Sequence, residues 1–168
     1  MTTTDLVDEL PSGELTTDHV LVRRLGEDDL DAVVRIDAVS TGAPRADFYR
    51  AKIRRALEDS SMQLSLAAEV DGMVAGFLVV TFYYGEFGIP ETTAVLEALG
   101  VHPEYRRRQV GRALMRQLEM NLGALGVSAI RTEVDWNQLD LLGFLQGAGF
   151  SPAPRFCLVK RLGGPSEP

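Results

Sequence analysis

Apolar and polar residues alternate through "HVLVRRL" (19–25), which predicts a strand with one buried face. The period then lengthens. In "GEDDLDAVVRIDAVS" the apolar residues fall at Leu30, Val33, Val34 and Ile36 or Val39, a helical spacing behind acidic residues that suit a helix N-terminus. "RADFYRAKIRRALEDS" repeats it with Phe48, Ile53 and Leu57. "MQLSLAAEV" and "VAGFLVVTFYY" read as strands, with Asp71-Gly72 between them as a hairpin turn. "TTAVLEALGV" predicts a fourth strand. A helix with Leu114, Leu118 and Leu122 on one face follows, then a fifth strand in "SAIRTEVDW". "QLDLLGFLQGAG" predicts a further helix and "FCLVKRL" a last strand.

This order is neither a strict β-α alternation nor a simple meander. It predicts an α/β (α+β) fold with a mixed sheet, antiparallel in its front half, and a parallel crossover around the helix at 110–125. Residues 1–17 read as an acidic leader, 18–163 as one domain and 164–168 as a tail. A length of 168 residues suits one domain with a real core.

A net charge of −7 argues against a nucleic-acid partner, which needs a basic face. It would suit a cationic substrate, although solubility is the plainer account. The single cysteine, Cys157, cannot form an internal disulfide, which points to a reducing compartment. With only His19 and His102 beside it, no Cys/His metal site is expected. No apolar stretch approaches the ~20 residues that span a bilayer, so no membrane partner is expected. These readings together place the chain in the cytoplasm.

Against the acidic background, "VHPEYRRRQVGRALM" concentrates cations where a helix begins. The first N–H groups of a helix lack intrahelical partners and, with Arg nearby, form an anion site. Three arginines on a loop are also what a solvated face looks like, and spacing alone leaves both readings open.

The same segment closely resembles the acyl-CoA-binding segment of the GNAT superfamily of N-acetyltransferases. That family carries Arg or Gln, two variable residues, Gly, one variable residue, then Gly or Ala, after a strand ending in Val-x-Pro. The matching residues here are Arg106, Arg107, Arg108, Gln109, Val110 and Gly111. The element order from about 19 to 162 matches as well, and "GFLQGAGFSPAPRFCLVKRL" resembles the family's C-terminal signature. The resemblance implies a mostly antiparallel sheet of about six to seven strands with about four helices. It implies acetyl transfer from acetyl-CoA to a primary amine by direct attack in a ternary complex, without a metal. The acceptor would be a small molecule, a peptide N-terminus or a protein lysine, and the assembly a monomer or homodimer.

Carried over by position, the N–H groups from Arg108 to Ala113 would wrap the pyrophosphate, supplemented by Arg106, Arg107 or Arg112. Gln109 stands where the family usually has Gly. In a left-handed conformation it would cost about 1–2 kcal/mol; at negative φ the cost vanishes. The backbone of Leu99, Gly100 and Val101 corresponds to the strand that pairs with the pantetheine arm. Gly100 suits a close approach or a bulge, or simply ends a strand. Asn137 resembles a family Asn that contacts the same arm, and equally suits a helix cap.

Attack by a lysine-like amine requires its neutral form, which costs about 4 kcal/mol near pH 7.4, so a carboxylate base is expected. The candidates are Glu97, Glu133, Glu86 and Asp135. Glu97 is a charge within an apolar strand, on the face of Val95 and Leu99 by simple alternation. Glu133 matches the position of a catalytic Glu in some family members. Glu86 lies in a loop able to close over an amine, and Tyr84, with Tyr83, Phe82 and Phe87, flanks it as acceptor-pocket lining. Arg45 lies between the first two helices, a region that shapes the acceptor site in the family. Where many members carry a Tyr acid, this chain has Leu145. Gln109 and Leu145 sustain an alternative reading, a catalytically degenerate acyl-CoA-binding or protein-interaction module of the same fold.

Overall fold

A computed structural model of the chain describes residues 19–58, 64–84, 88 and 90–162, with the backbone alone at 56–58. The leader at 1–17, the tail at 164–168, the candidates Glu86 and Phe87 and the side chain of Leu57 lie outside the described residues. The chain divides into two compact units, Met1–Glu133 and Val134–Pro168.

In the first unit, β1 (Leu21–Arg24) pairs antiparallel with β2 (Leu66–Val70), β2 with β3 (Met73–Tyr84), and β3 with β4 (Thr92–Val101). β4 then pairs in parallel with β5 (Ile130–Arg131). Asp71 and Gly72 close the β2–β3 hairpin, with φ of +52° and +77°, the positive values a two-residue hairpin turn requires. A parallel join needs a crossover, and α3 (Val110–Ala124) supplies it.

α1 (Leu30–Thr41) and α2 (Ala46–Glu58) cover one face of the sheet. α1 ends at Gly42, whose φ of +79° lets its N–H reach the carbonyl of Ala38 at 2.8 Å. It buries Val33 and Ile36 and leaves Val39 exposed. In α2 the buried pair is Tyr49 and Ile53, not Phe48 and Ile53. Tyr49 takes the inward position because its ring packs edge-on to Phe77, with centroids 5.6 Å apart, while its hydroxyl donates to Asp37 at 2.9 Å. Leu25, Ala67, Phe77 and Val79 complete this core, each large side chain stabilising by about 1.5–3 kcal/mol. α3 packs against the sheet on a stripe of Val110, Leu114, Met115, Leu118 and Leu122. A Cβ at Gly76 would lie 2.8 Å from Val110 Cγ1 and 3.3 Å from Leu114 Cδ1, so β3 can meet α3 only as Gly.

The second unit contains α4 (Leu139–Gly147), which begins after a turn closed by the Gln138 N–H to Asp135 carbonyl bond at 2.9 Å. Residues 151–162 form neither helix nor strand, and Phe156, Leu158, Val159 and Leu162 are exposed. The described sheet therefore has five strands, fewer than the six to seven expected, with four α-helices. The apolar alternation in "FCLVKRL" says which side chains share a face. It does not supply a ladder partner, and a strand exists only by its ladder. No described helix is long and apolar enough to cross a membrane.

Candidate functional site

Two features of β4 organise the site. The first is a register shift. Val79 of β3 pairs with Ala98, but Val80 pairs with Leu96, so Glu97 is an extra residue in β4, a β-bulge. The second is an open edge. Pairing with β5 covers only Ala94–Ile130 and Val95–Arg131. The next contact is a side-chain bond, from the Thr132 hydroxyl to the Leu96 carbonyl at 2.8 Å. From Glu97 to Val101, β4 has no strand partner on that side among the described residues. β5 is correspondingly shorter than "SAIRTEVDW" suggests, because it leaves β4 where the bulge begins.

The bulge also corrects the face assigned to Glu97. Ala98 packs against the core beneath α1 and α2, and Gly100 points at Ile36 and Phe77 of that core. Leu99, between them, faces the other way. Glu97 keeps the face of Val95, which pairs with Thr81, and the inserted residue brings Ala98 to that α2 side and sends Leu99 to the other. Its carboxylate there forms an ion pair with Lys52 of α2 and has a long contact, 3.5 Å, from the Tyr83 hydroxyl of β3. Its side chain is 14% exposed, low for a carboxylate. Lys52 lies 5.6 Å from the centre of the Phe48 ring. Burial, with a smaller contribution from Arg55, holds the Lys52 ammonium below the usual lysine range. Lys52 is thus a site residue that pattern reading did not select, whereas Tyr83 was among the expected acceptor-pocket residues. The signal for Lys52 was compositional, since the chain has two lysines, Lys52 and Lys160, among 17 basic residues.

At the far end of β4 the chain passes through a 3-10 turn (Pro103–Tyr105) into α3. Gln109 caps α3 at φ +64°, ψ +5°, with no side-chain capping bond, and Arg107 is also left-handed at φ +65°. The first intrahelical bond runs from the Ala113 N–H to the Gln109 carbonyl at 2.8 Å. The N–H groups of Val110, Gly111 and Arg112 lie ahead of it, at the positive end of a 15-residue helix. The side chains of Arg106, Arg107 and Arg112 are exposed, and Arg108 lies over the Tyr105 ring, 5.5 Å from its centre. This is a cationic, donor-rich end joined to an open strand edge. It fits a diphosphate with an extended amide-bearing arm.

The remaining candidates fall elsewhere. Gly100 is needed for packing: a Cβ there would come 2.6 Å from Phe77 Cε1 and 3.0 Å from Ile36 Cγ2. Glu133 lies beyond the end of β5, with its side chain 73% exposed and 3.9 Å from Arg131. Tyr84 alternates onto the face opposite Tyr83 and is 78% exposed. Arg45 grips Asp37 through two bonds of 2.8 and 2.5 Å, and with Tyr49 it braces α1 against α2. Burial pushes the Asp37 carboxyl up, but the bonds from Arg45 and Tyr49 outweigh it and hold the group below its usual range. In the second unit, Asn137 is exposed in the turn before α4, whose cap residue is Gln138, and Leu145 is buried. No cluster of three or more His, Cys, Asp or Glu among the described residues could hold a metal.

Solved structures share this fold at low identity. An aminoglycoside N-acetyltransferase in complex with CoA aligns with a TM-score of 0.72 at 18% identity, over 90% of this chain and 98% of that one. A transcriptional regulator from Bacillus halodurans C-125 aligns at 0.71 and 22%, over 86% of this chain and all of that one. A ribosomal-protein-alanine N-acetyltransferase from Brucella melitensis biovar Abortus 2308 gives 0.68 and 17%, with coverage of 85% and 99%. Residues 30–150, well over half of the chain, match the acetyltransferase (GNAT) family. The chain belongs to that GNAT acetyltransferase family.

Proposed function

We propose that this protein transfers an acetyl group from acetyl-CoA to a primary amine in a ternary complex, with Glu97 as the general base. The observation that carries this reading is the position of Glu97. It sits in the bulge of β4, where the free strand edge begins, and the α3 N-terminus lies at the other end of that edge. The N–H groups of Val110, Gly111 and Arg112 hold the pyrophosphate, since those of Arg108 and Ala113, the ends of the expected range, already donate to the Tyr105 and Gln109 carbonyls; Arg106, Arg107 and Arg112 add charge. The free edge at Leu99, Gly100 and Val101 takes the pantetheine amides as an added strand would. Four residue steps of strand lead from Glu97 to Val101, roughly 13 Å, which sets the acetyl end of an extended arm beside the Glu97 carboxylate.

An acceptor ammonium must lose a proton before it can attack. Glu97 takes it, directly or through a water, a step worth about 10²–10⁴ in rate. Backbone N–H groups on the free edge of β4 hold the developing oxyanion. The acceptor approaches from the α2 side, where Tyr83 contacts the carboxylate and Phe48 lies beside Lys52. Its class remains one of three: small molecule, peptide N-terminus or protein lysine.

The test pairs calorimetry with thiol release over an amine panel. Glu97→Gln is expected to bind acetyl-CoA as the natural protein does and to lose at least about 10²-fold in turnover. Unchanged turnover would remove Glu97 from the mechanism. A second reading, acyl-CoA binding without transfer, draws on Leu145, apolar and buried where family members have an acid. Binding with no thiol release for any amine would favour it.

A further inference from the structure

Lys52 presents a primary amine to the very carboxylate assigned as the base. Its Nζ pairs with Glu97, and its side chain is 30% exposed, so it is reachable. It extends from α2, the side from which an acceptor would come. Every other cation in the described first unit outside the histidines is an Arg, which stays charged and is a poor acyl acceptor. The one side chain in that unit able to become a neutral amine is therefore the one placed on Glu97.

We propose that Lys52 is an internal acceptor: without an external amine, the protein acetylates Lys52 from its own bound acetyl-CoA. The inference rests on the acetyl-CoA reading above. The Lys52 ammonium gives one proton to Glu97, and the Nζ lone pair attacks the thioester carbonyl carbon. An N–C bond forms and the C–S bond breaks, expelling CoA as its thiolate. Of the two protons lost from nitrogen, one ends on the CoA thiol and the other in solvent. Burial and Arg55 disfavour the charged form of Lys52 and so raise the share of neutral amine. The product is a neutral amide, which ends the ion pair with Glu97. An external amine and Lys52 compete for the same place on the carboxylate.

The full chain is incubated with acetyl-CoA and no amine, then digested with trypsin and read by mass spectrometry. The expected result is one fast acetyl group on Lys52, seen as a lost cleavage after that residue. It should form at least about tenfold faster than at the exposed Lys160, the built-in control. The rate per molecule should not depend on protein concentration, and Glu97→Gln should slow Lys52 to the rate of Lys160. Equal rates at Lys52 and Lys160 in the natural protein would mean chemical acetylation and overturn the proposal without recourse to any variant. An unmodified Lys52 in protein that binds acetyl-CoA and releases thiol with an external amine would overturn it and leave the proposed function intact. Failure to bind acetyl-CoA would overturn both.

Discussion

Replacing Gln109 with Gly isolates the backbone strain at the start of α3. Gln109 sits at φ +64°, where an ordinary L residue carries about 1–2 kcal/mol. Its side chain is exposed and makes no capping bond, so little else is lost with it. Gly removes the strain but adds about 0.5–1 kcal/mol of backbone entropy on folding. The balance favours Gln109→Gly by roughly 0.5–1 kcal/mol, a rise of about 1–4 °C in Tm for a chain of this length. Gln109→Ala keeps the left-handed cost and should give no rise. Scanning calorimetry checks both. The affinity for acetyl-CoA tests a different point. The left-handed turn exists before any ligand arrives, so its strain is borne in folding and does not weaken binding. Titration calorimetry should find the Kd of Gln109→Gly within about threefold of the natural value. Binding about tenfold tighter or more would refute the reasoning, because ~1.4 kcal/mol of strain would then be incurred on binding. A lower Tm would refute the strain itself.

Two further outcomes follow from the packing. Gly100→Ala forces a methyl against Phe77 and Ile36, and should destabilise by about 1–3 kcal/mol through overpacking; an unchanged urea midpoint would show that the core yields there. Asp37→Asn removes a carboxylate held below its usual range by Arg45 and Tyr49. It should cost about 1.5–3 kcal/mol at pH 7. A depressed pKa in the fold stabilises above the unfolded value and fades as pH falls through the folded one. The gap between natural protein and variant in urea unfolding should therefore be full above pH ~4 and narrow below it; a constant gap down to pH 2 would refute the assignment.

The helices and front strands were legible because their signals are local. Asp71-Gly72 dictates a hairpin, and the spacing of Leu114, Leu118 and Leu122 dictates a face. The faces of α1 and α2 were less so. Choosing between Ile36 and Val39, or between Phe48 and Tyr49, depends on where Asp37 and Phe77 stand across the interface, which no window of sequence contains. The C-terminal alternation predicted a strand from half of what a strand requires. The helix start proposed to hold the pyrophosphate stood out for the opposite reason. A helix start beside consecutive arginines carries its chemistry in one stretch of chain.

Glu97 shows where such reading stops. An acid in an apolar strand was visible, but its face was not, since strict alternation sets it with Leu99. One inserted residue reverses that, and neither Gly nor Pro marks the place. The insertion does two things together. It leaves Glu97 with Val95 on the side of α2 and Lys52 while sending Leu99 to the opposite face, and it coincides with the point where β5 leaves β4. A strand edge left open in a protein invites pairing with another chain, and proteins ordinarily block such edges. Here, among the described residues, the free edge runs five residues, Glu97 to Val101, with a carboxylate at one end and a helix N-terminus near the other. A partner that extends along it must carry amides for the edge and negative charge for the helix, and must end in a group that a half-buried carboxylate can act beside. Those requirements come from this chain's own geometry, and an acyl thioester of CoA meets all three.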